Sequence, residues 1–258
     1  MRMIYLDCSN GISGDMVLNA LADLSEDPES VRANIERIRG VVLEKGADPY
    51  GPSHIHEHGH HHGHEHHHGH DHAHGHEHGH GPEHHSGHSH RSYREVMEII
   101  SQMPVSSRVK RTAEQIYAVI AKAESAVHGD PLETLHFHEV GRDQAIANVL
   151  GVAICLDSIR PDQVIVSEIC DGQGTVQCAH GVLNVPVPAV KAMLDSCDLA
   201  YRQTEHEGEM VTPSGLAMVL GIGAETGERP ARTTVRASEA KGARTFTEHG
   251  LIAELYEA

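Results

Sequence analysis

Two short segments put metal-seeking side chains at the spacing of an extended strand. In "HFHEVG", His136 and His138 lie two residues apart and Glu139 follows. On a strand both imidazoles would share a face, roughly 7 Å apart, with a carboxylate at the strand end. Two imidazoles and one carboxylate form a recognised set for a divalent metal, and the carboxylate could instead take a proton. A surface strand with a polar face is the plainer alternative. "CAHG" repeats the geometry, with Cys178 and His180 on a strand leading into Gly181. Thiolate and imidazole together favour a soft or borderline metal. A small buried cysteine beside a hydrogen-bonded histidine would give the same pattern.

A denser set of ligands lies upstream. Of 26 histidines, 20 fall between His54 and His90, alternating with Gly, Glu, Asp, Ser and Pro. His60, His61, His62, His66, His67 and His68 are the densest group. Imidazole suits Ni, Cu and Zn, so the composition restricts the metal without naming it. A chain of this kind offers overlapping sites for capture or storage, whereas catalysis needs fixed geometry and an open coordination position. A solvated spacer is the competing reading.

Two glycine-rich turns could hold an anion. "GISGD" follows an apolar strand and opens a helix, so Gly11, Ser13 and Gly14 would present free backbone N–H groups to a phosphate. Asp15 could hold a cation beside it or simply complement the helix dipole. The segment lacks both the GxGxxG spacing and a P-loop lysine, so a dinucleotide or NTP site is not indicated. In "VTPSG", Thr212 and Ser214 could bind an anion or merely cap a helix.

The elements that must carry these residues follow from periodicity. Ile4–Leu6 reads as a strand, and Met16, Val17, Ala20, Leu21 and Leu24 recur at helical spacing with Ser13 placed to cap. A weaker helix ends near Gly40, with a short strand at Val41–Leu43. Helical periodicity returns at "YREVMEIISQM", stops at Pro104, and resumes in an alanine-rich helix that ends at Gly129. "IANVLGVAICLDSI" reads as an apolar helix, "DQVIVSEI" as a buried strand and "LIAELYE" as a final strand. The sum is an α/β protein: a mixed sheet with packed helices, interrupted by a disordered histidine-rich insert. Its parts are an N-terminal βα segment (1–47), a metal-binding linker (48–90) and the main α/β domain (91–258).

Composition excludes several classes. The formal charge is −17 and no basic block is present, which argues against nucleic acid. Five cysteines without a CxxC pair suggest neither a disulfide framework nor a thiolate zinc cage. No stretch has the length of a membrane span or the form of a signal peptide, which predicts a cytoplasmic protein.

Five segments in order, "YLDCSNGISGDM", "HSHRSYREVMEII", "AESAVHGDPLETLHFHEVG", "GQGTVQCAHGVLNVPVP" and "EMVTPSGLA", resemble the nickel-insertion proteins of nickel-pincer cofactor assembly, the LarC family. The resemblance implies a CTP-dependent nickel-inserting lyase. Its substrate would be a pyridinium mononucleotide carrying two thiocarboxylates, into which Ni2+ is placed through metal–carbon and metal–sulfur bonds. It further implies that the insert gathers nickel, that His136, His138, Glu139, Cys178 and His180 receive it, that Asp15 and Glu139 serve catalysis, and that the Gly11–Asp15 turn holds a phosphate. Two departures stand out. Where the family carries two carboxylates after HFHEVG, this chain has Gln144 and Asn148, and an amide is neither a base nor a strong ligand for a divalent cation. The chain also stops near the end of the family's N-terminal half, so CTP, with Mg2+ or Mn2+, would come through a separate C-terminal-half polypeptide. A noncatalytic nickel metallochaperone or store, a zinc or copper buffer, and a homo-oligomeric state all stay open.

Overall fold

A computed structural model of the chain describes residues 1–46, 91–178, 181–244 and 246–257. The histidine-rich stretch, with His60, His61, His62, His66, His67 and His68, lies outside the described residues, as does His180. Met1–Gly46 and His90–Ala258 form one compact unit.

In chain order the elements are β1 (Arg2–Asp7), α1 (Gly14–Leu24), α2 (Pro28–Gly46), β2 (Arg91–Ser92), α3 (Tyr93–Gln102), α4 (Ser107–His128) and β3 (His136–Phe137). There follow α5 (Asp143–Ile159), β4 (Gln163–Val166), β5 (Ile169–Gln173), β6 (Thr175–Cys178), β7 (Gly181–Asn184) and α6 (Pro188–Leu194). The last are β8 (Tyr201–Glu207), α7 (Pro213–Gly221), β9 (Glu225–Thr226), β10 (Arg236–Ala240) and β11 (Leu251–Glu257).

The class is α/β, and the main sheet is mixed. Its order is β10-β11-β1-β4-β9, with β1 antiparallel to β11 and parallel to β4. β1 is buried from Met3 to Leu6, as its apolar run requires of a central strand. Helix α1 packs against β10, β11 and α5, while α2 packs on α5, and α4 on α5 and α7. Helix α5 is the central helix: nearly every residue from Ile146 to Leu156 is buried, which is why its sequence is apolar all round. A smaller pair, β5 and β8, runs parallel, and β6–β7 is an antiparallel hairpin.

Helix ends follow the sequence closely. Ser92 and Glu95 form a capping box for α3, and Gly129 closes α4 in the left-handed conformation at φ 74°. One element differs from expectation. Helix α2 runs through Gly40 to Gly46, so Val41–Leu43 is helical rather than a strand. A glycine inside a helix costs about 1 kcal/mol relative to alanine, and that does not stop a helix whose Ile38 and Val42 are both buried.

Candidate functional site

The site is built where two distant turns are stitched together. After β1, Gly11 takes φ 87°, and a side chain there would meet the Met210 carbonyl oxygen at 2.5 Å, so only glycine fits. Ile12 N–H donates to Met210 O at 2.8 Å and Thr212 N–H donates to Ile12 O at 3.0 Å, a short parallel bridge between Ile12 and Val211. Each turn then opens a helix, α1 from Ser13 and α7 from Thr212. Gly215 lets the two starts approach, since a Cβ there would lie 2.6 Å from Ile12 O.

Both cap expectations hold. Ser13 Oγ accepts from Met16 N–H at 3.3 Å, and Thr212 Oγ1 accepts from Gly215 N–H at 3.2 Å while meeting Ser214 Oγ at 3.2 Å. Beneath the Met210 turn lies Asp171, fully buried. Its Oδ1 accepts from the N–H groups of Gly172, Met210 and Val211 at 2.8, 2.9 and 2.9 Å, and its Oδ2 accepts from Tyr201 Oη at 3.2 Å. Burial raises its pKa, and the three backbone donors oppose that rise. Asp171 therefore fixes the position of Glu209, the residue before Met210.

A third wall comes from the segment after β3. Phe137 is buried between Tyr93 and Tyr117, with ring centroids 6.1 and 5.9 Å away. Tyr117 Oη donates to Val140 O at 3.0 Å, and the buried Arg91 donates to Gly141 O at 2.9 Å while pairing with Asp143 at 2.7 Å. These contacts hold His138 and Glu139 toward the helix starts.

Together the walls enclose a cleft of two lobes, about 340 and 370 Å³. One lobe is lined by Asn10, Ser13, Asp15 and the Lys241–Gly250 loop, the other by Glu124, His128, His138, Pro213 and Ser214. Glu139, Val176, Cys178, Glu209 and Thr212 line both.

Most of the expected site residues meet here. Gly11, Ser13, Gly14, Asp15, Thr212 and Ser214 form the paired helix starts, and Glu139, Cys178 and His138 line the cleft. His136 does not join them. β3 covers only His136 and Phe137, so the alternation that would align the two histidines stops before His138. The exposed His136 ring instead donates from Nδ1 to Thr134 O at 2.8 Å and lies near Glu95. The expected partner of Cys178, His180, lies outside the described residues. β6 ends at Cys178, which pairs across a hairpin with Gly181 at φ 94°, a conformation that glycine permits and that turns the chain back.

The structure also adds residues that were not expected. Glu209 lines both lobes, and burial, reinforced by Asp171 and Glu139 and opposed by Arg244, pushes its pKa up to about 7. A carboxyl so placed exchanges protons near neutrality. His128 stands 5.5 Å from His138, ring to ring, and pairs with Glu124 at 3.2 Å. The two amides noted above form a chain: Gln144 Nε2 donates to Asn148 Oδ1 at 3.0 Å, and Asn148 Nδ2 donates to Asp15 Oδ1 at 2.7 Å. Among the described residues no three His, Cys, Asp or Glu side chains are grouped closely enough to hold a metal ion. The donors line a shared cleft without closing on one point.

A family model described as "Nickel insertion protein" matches residues 4–254. Proteins named pyridinium-3,5-bisthiocarboxylic acid mononucleotide nickel insertion protein are similar to the chain. The one from Alkaliphilus metalliredigens is 34% identical, over 86% of this chain and 52% of its own length. Those from Acetivibrio thermocellus and Akkermansia muciniphila are 32% and 36% identical, over 95% and 86% of this chain and 57% and 52% of their own lengths. The chain thus spans about half the length of the curated relatives it matches. No solved structure matches it.

Proposed function

The chain belongs to the nickel insertion protein family, and from that premise we propose that its cleft receives Ni2+ as cargo and presents it to a pyridinium mononucleotide. The observation that carries this reading is the shared wall: Glu139, Cys178 and Glu209 face both lobes at once. A thiolate and carboxylates there can take a borderline cation, with His138 and His128 in the adjoining lobe. The other lobe, opened by Ser13 and Asp15, is left for the organic partner.

Chemistry assigns the remaining roles. Placing a metal on a ring carbon releases a proton, which needs an acceptor beside the metal. Glu139 and Glu209 stand on the shared wall where such a proton would leave, and Asp15 lies at the mouth of α1. The insert between His54 and His90 gathers the ion and raises its local concentration. CTP, with its Mg2+ or Mn2+, belongs to a C-terminal half, and the reaction is that of a lyase in the cytoplasm.

A second reading, nickel carriage without insertion, has its own support. Asn148 caps Asp15 with an amide, so that corner of the cleft has one carboxylate where a cation would profit from two.

The full chain mixed with nickel should show a thiolate-to-nickel absorption band that Cys178→Ala removes. Persistence of that band in the variant would sink the cleft as the receiving site. Adding the thiocarboxylated mononucleotide, CTP and a C-terminal half, and following product mass, separates insertion from carriage.

A further inference from the structure

We propose that Lys241 and Arg244 form the wall that receives the phosphate monoester of a mononucleotide, over the Asn10–Asp15 turn; this rests on the cleft being the mononucleotide's site. The chain carries a formal charge of −17, yet Lys241, Arg244 and His249 all line the lobe that opens onto Ser13 and Asp15. Both cations come from the connection between β10 and β11, whose base is set by the Ala240–Leu251 pair.

That connection is anchored on both sides. Gly250 N–H donates to Glu239 Oε1 at 2.9 Å, Thr247 Oγ1 donates to His249 O at 2.6 Å, and Asn10 Nδ2 donates to Gly250 O at 3.3 Å. Gly242 lies against Met16 in the first turn of α1, where a Cβ would stand 3.2 Å from Met16 Sδ. The backbone of the connection is therefore fixed above the α1 start, and it carries both cations, exposed, at the rim of that lobe.

Arg2, Arg91, Arg202, Arg229 and Arg236 each pair with a carboxylate, whereas the Lys241 and Arg244 side chains make no salt bridge or hydrogen bond among the described residues. His249, by contrast, faces Glu239 at 3.5 Å. Arg244 feels Glu209 and Lys241 feels Glu239 only at longer range, and two such cations beside backbone N–H groups, in a lobe of mononucleotide size, select an anion with several oxygens. The neighbouring carboxylates give the site a direction. Glu139 and Glu209 repel a phosphate from the shared wall, so it settles at the Lys241–Arg244 side and the ring points toward Cys178.

The test is calorimetric titration of the nickel-free full chain with nicotinate mononucleotide, its riboside, CTP and inorganic phosphate. The mononucleotide should bind at least about tenfold tighter than the riboside, the scale of charge-assisted hydrogen bonds. The Lys241→Gln, Arg244→Gln double variant should lose that difference, Arg244→Lys should keep most of it, and Arg202→Gln, outside the cleft, should leave it unchanged. Equal binding of mononucleotide and riboside, no binding of either, or a double variant that still discriminates overturns the proposal. Tighter binding of CTP or inorganic phosphate than of the mononucleotide also overturns it, by assigning the wall to another phosphate. Nickel is left out, so these results bear on the phosphate wall alone, and loss of the Cys178 thiolate band bears on nickel reception alone.

Discussion

Asn148 donates its side-chain amide to Asp15 at 2.7 Å, joining the middle of α5 to the first turn of α1 at the floor of the cleft. The contact is buried on the Asn148 side, and Gln144 completes it from one helical turn away. An amide pair at this position satisfies Asp15 without a cation.

Asn148→Asp should reverse that property. Two carboxylates at this spacing repel until one is protonated or a cation is bound, so the variant should lose on the order of 1–3 kcal/mol of stability at neutral pH. Millimolar Mn2+ should restore the melting temperature. If Mn2+ leaves the variant's melting temperature where it was, the corner is not a latent cation site.

Glu209 predicts a pH dependence. Its folded pKa of about 7 stands above the ordinary glutamate value of 4.5, so the folded state holds the proton more tightly than the unfolded chain. Its contribution is therefore fully present below pH 4.5 and is lost as pH rises through about 7. Glu209→Gln should melt higher than the parent at pH 8, by on the order of 1–3 kcal/mol, and converge with it near pH 5. Parallel melting curves across that range would remove Glu209 as the titrating group.

Much of this architecture was legible in the chain. Ser13, Thr212 and Gly129 announce helix ends because capping is local chemistry, decided within three or four residues. Cys178, Glu139 and Asp15 were legible for a similar reason: each sits in a short segment of distinctive types. Glu209 was not, although it directly precedes "MVTPSG". Its special character comes from Asp171, Glu139 and Arg244, all brought up by tertiary folding. The separation of His136 from His138 was equally hidden, because strand alternation gives no signal for a strand that ends after two residues.

His136 and Cys178 should thus differ as variants. Cys178→Ala is expected to lose the thiolate band and weaken the ordered nickel site at least about tenfold, whereas His136→Ala should leave both within about twofold, since its ring lies outside the cleft. Nickel titration followed by absorbance decides it, and equal losses in both variants would contradict the geometry.

Asp171→Asn tests the support beneath the cleft. An amide can keep its oxygen toward the three backbone donors but loses the carboxylate's charge and turns an N–H toward Tyr201 Oη, so stability should fall by about 1–3 kcal/mol. Thermal denaturation measures the loss, and the titration of Glu209 should move to lower pH with the neighbouring charge gone.

The pairing of Arg2 with Glu257 across β1 and β11 fixes the order of assembly. A nascent chain exposes β1 early, yet one side of that strand has no neighbour until Leu251–Glu257 leaves the ribosome, and its other neighbour, β4, is itself made late. Such distant closure slows folding. The Gly11 bend and the stitched helix starts need Met210 and Thr212, so they close only after the whole histidine-rich stretch has been synthesised.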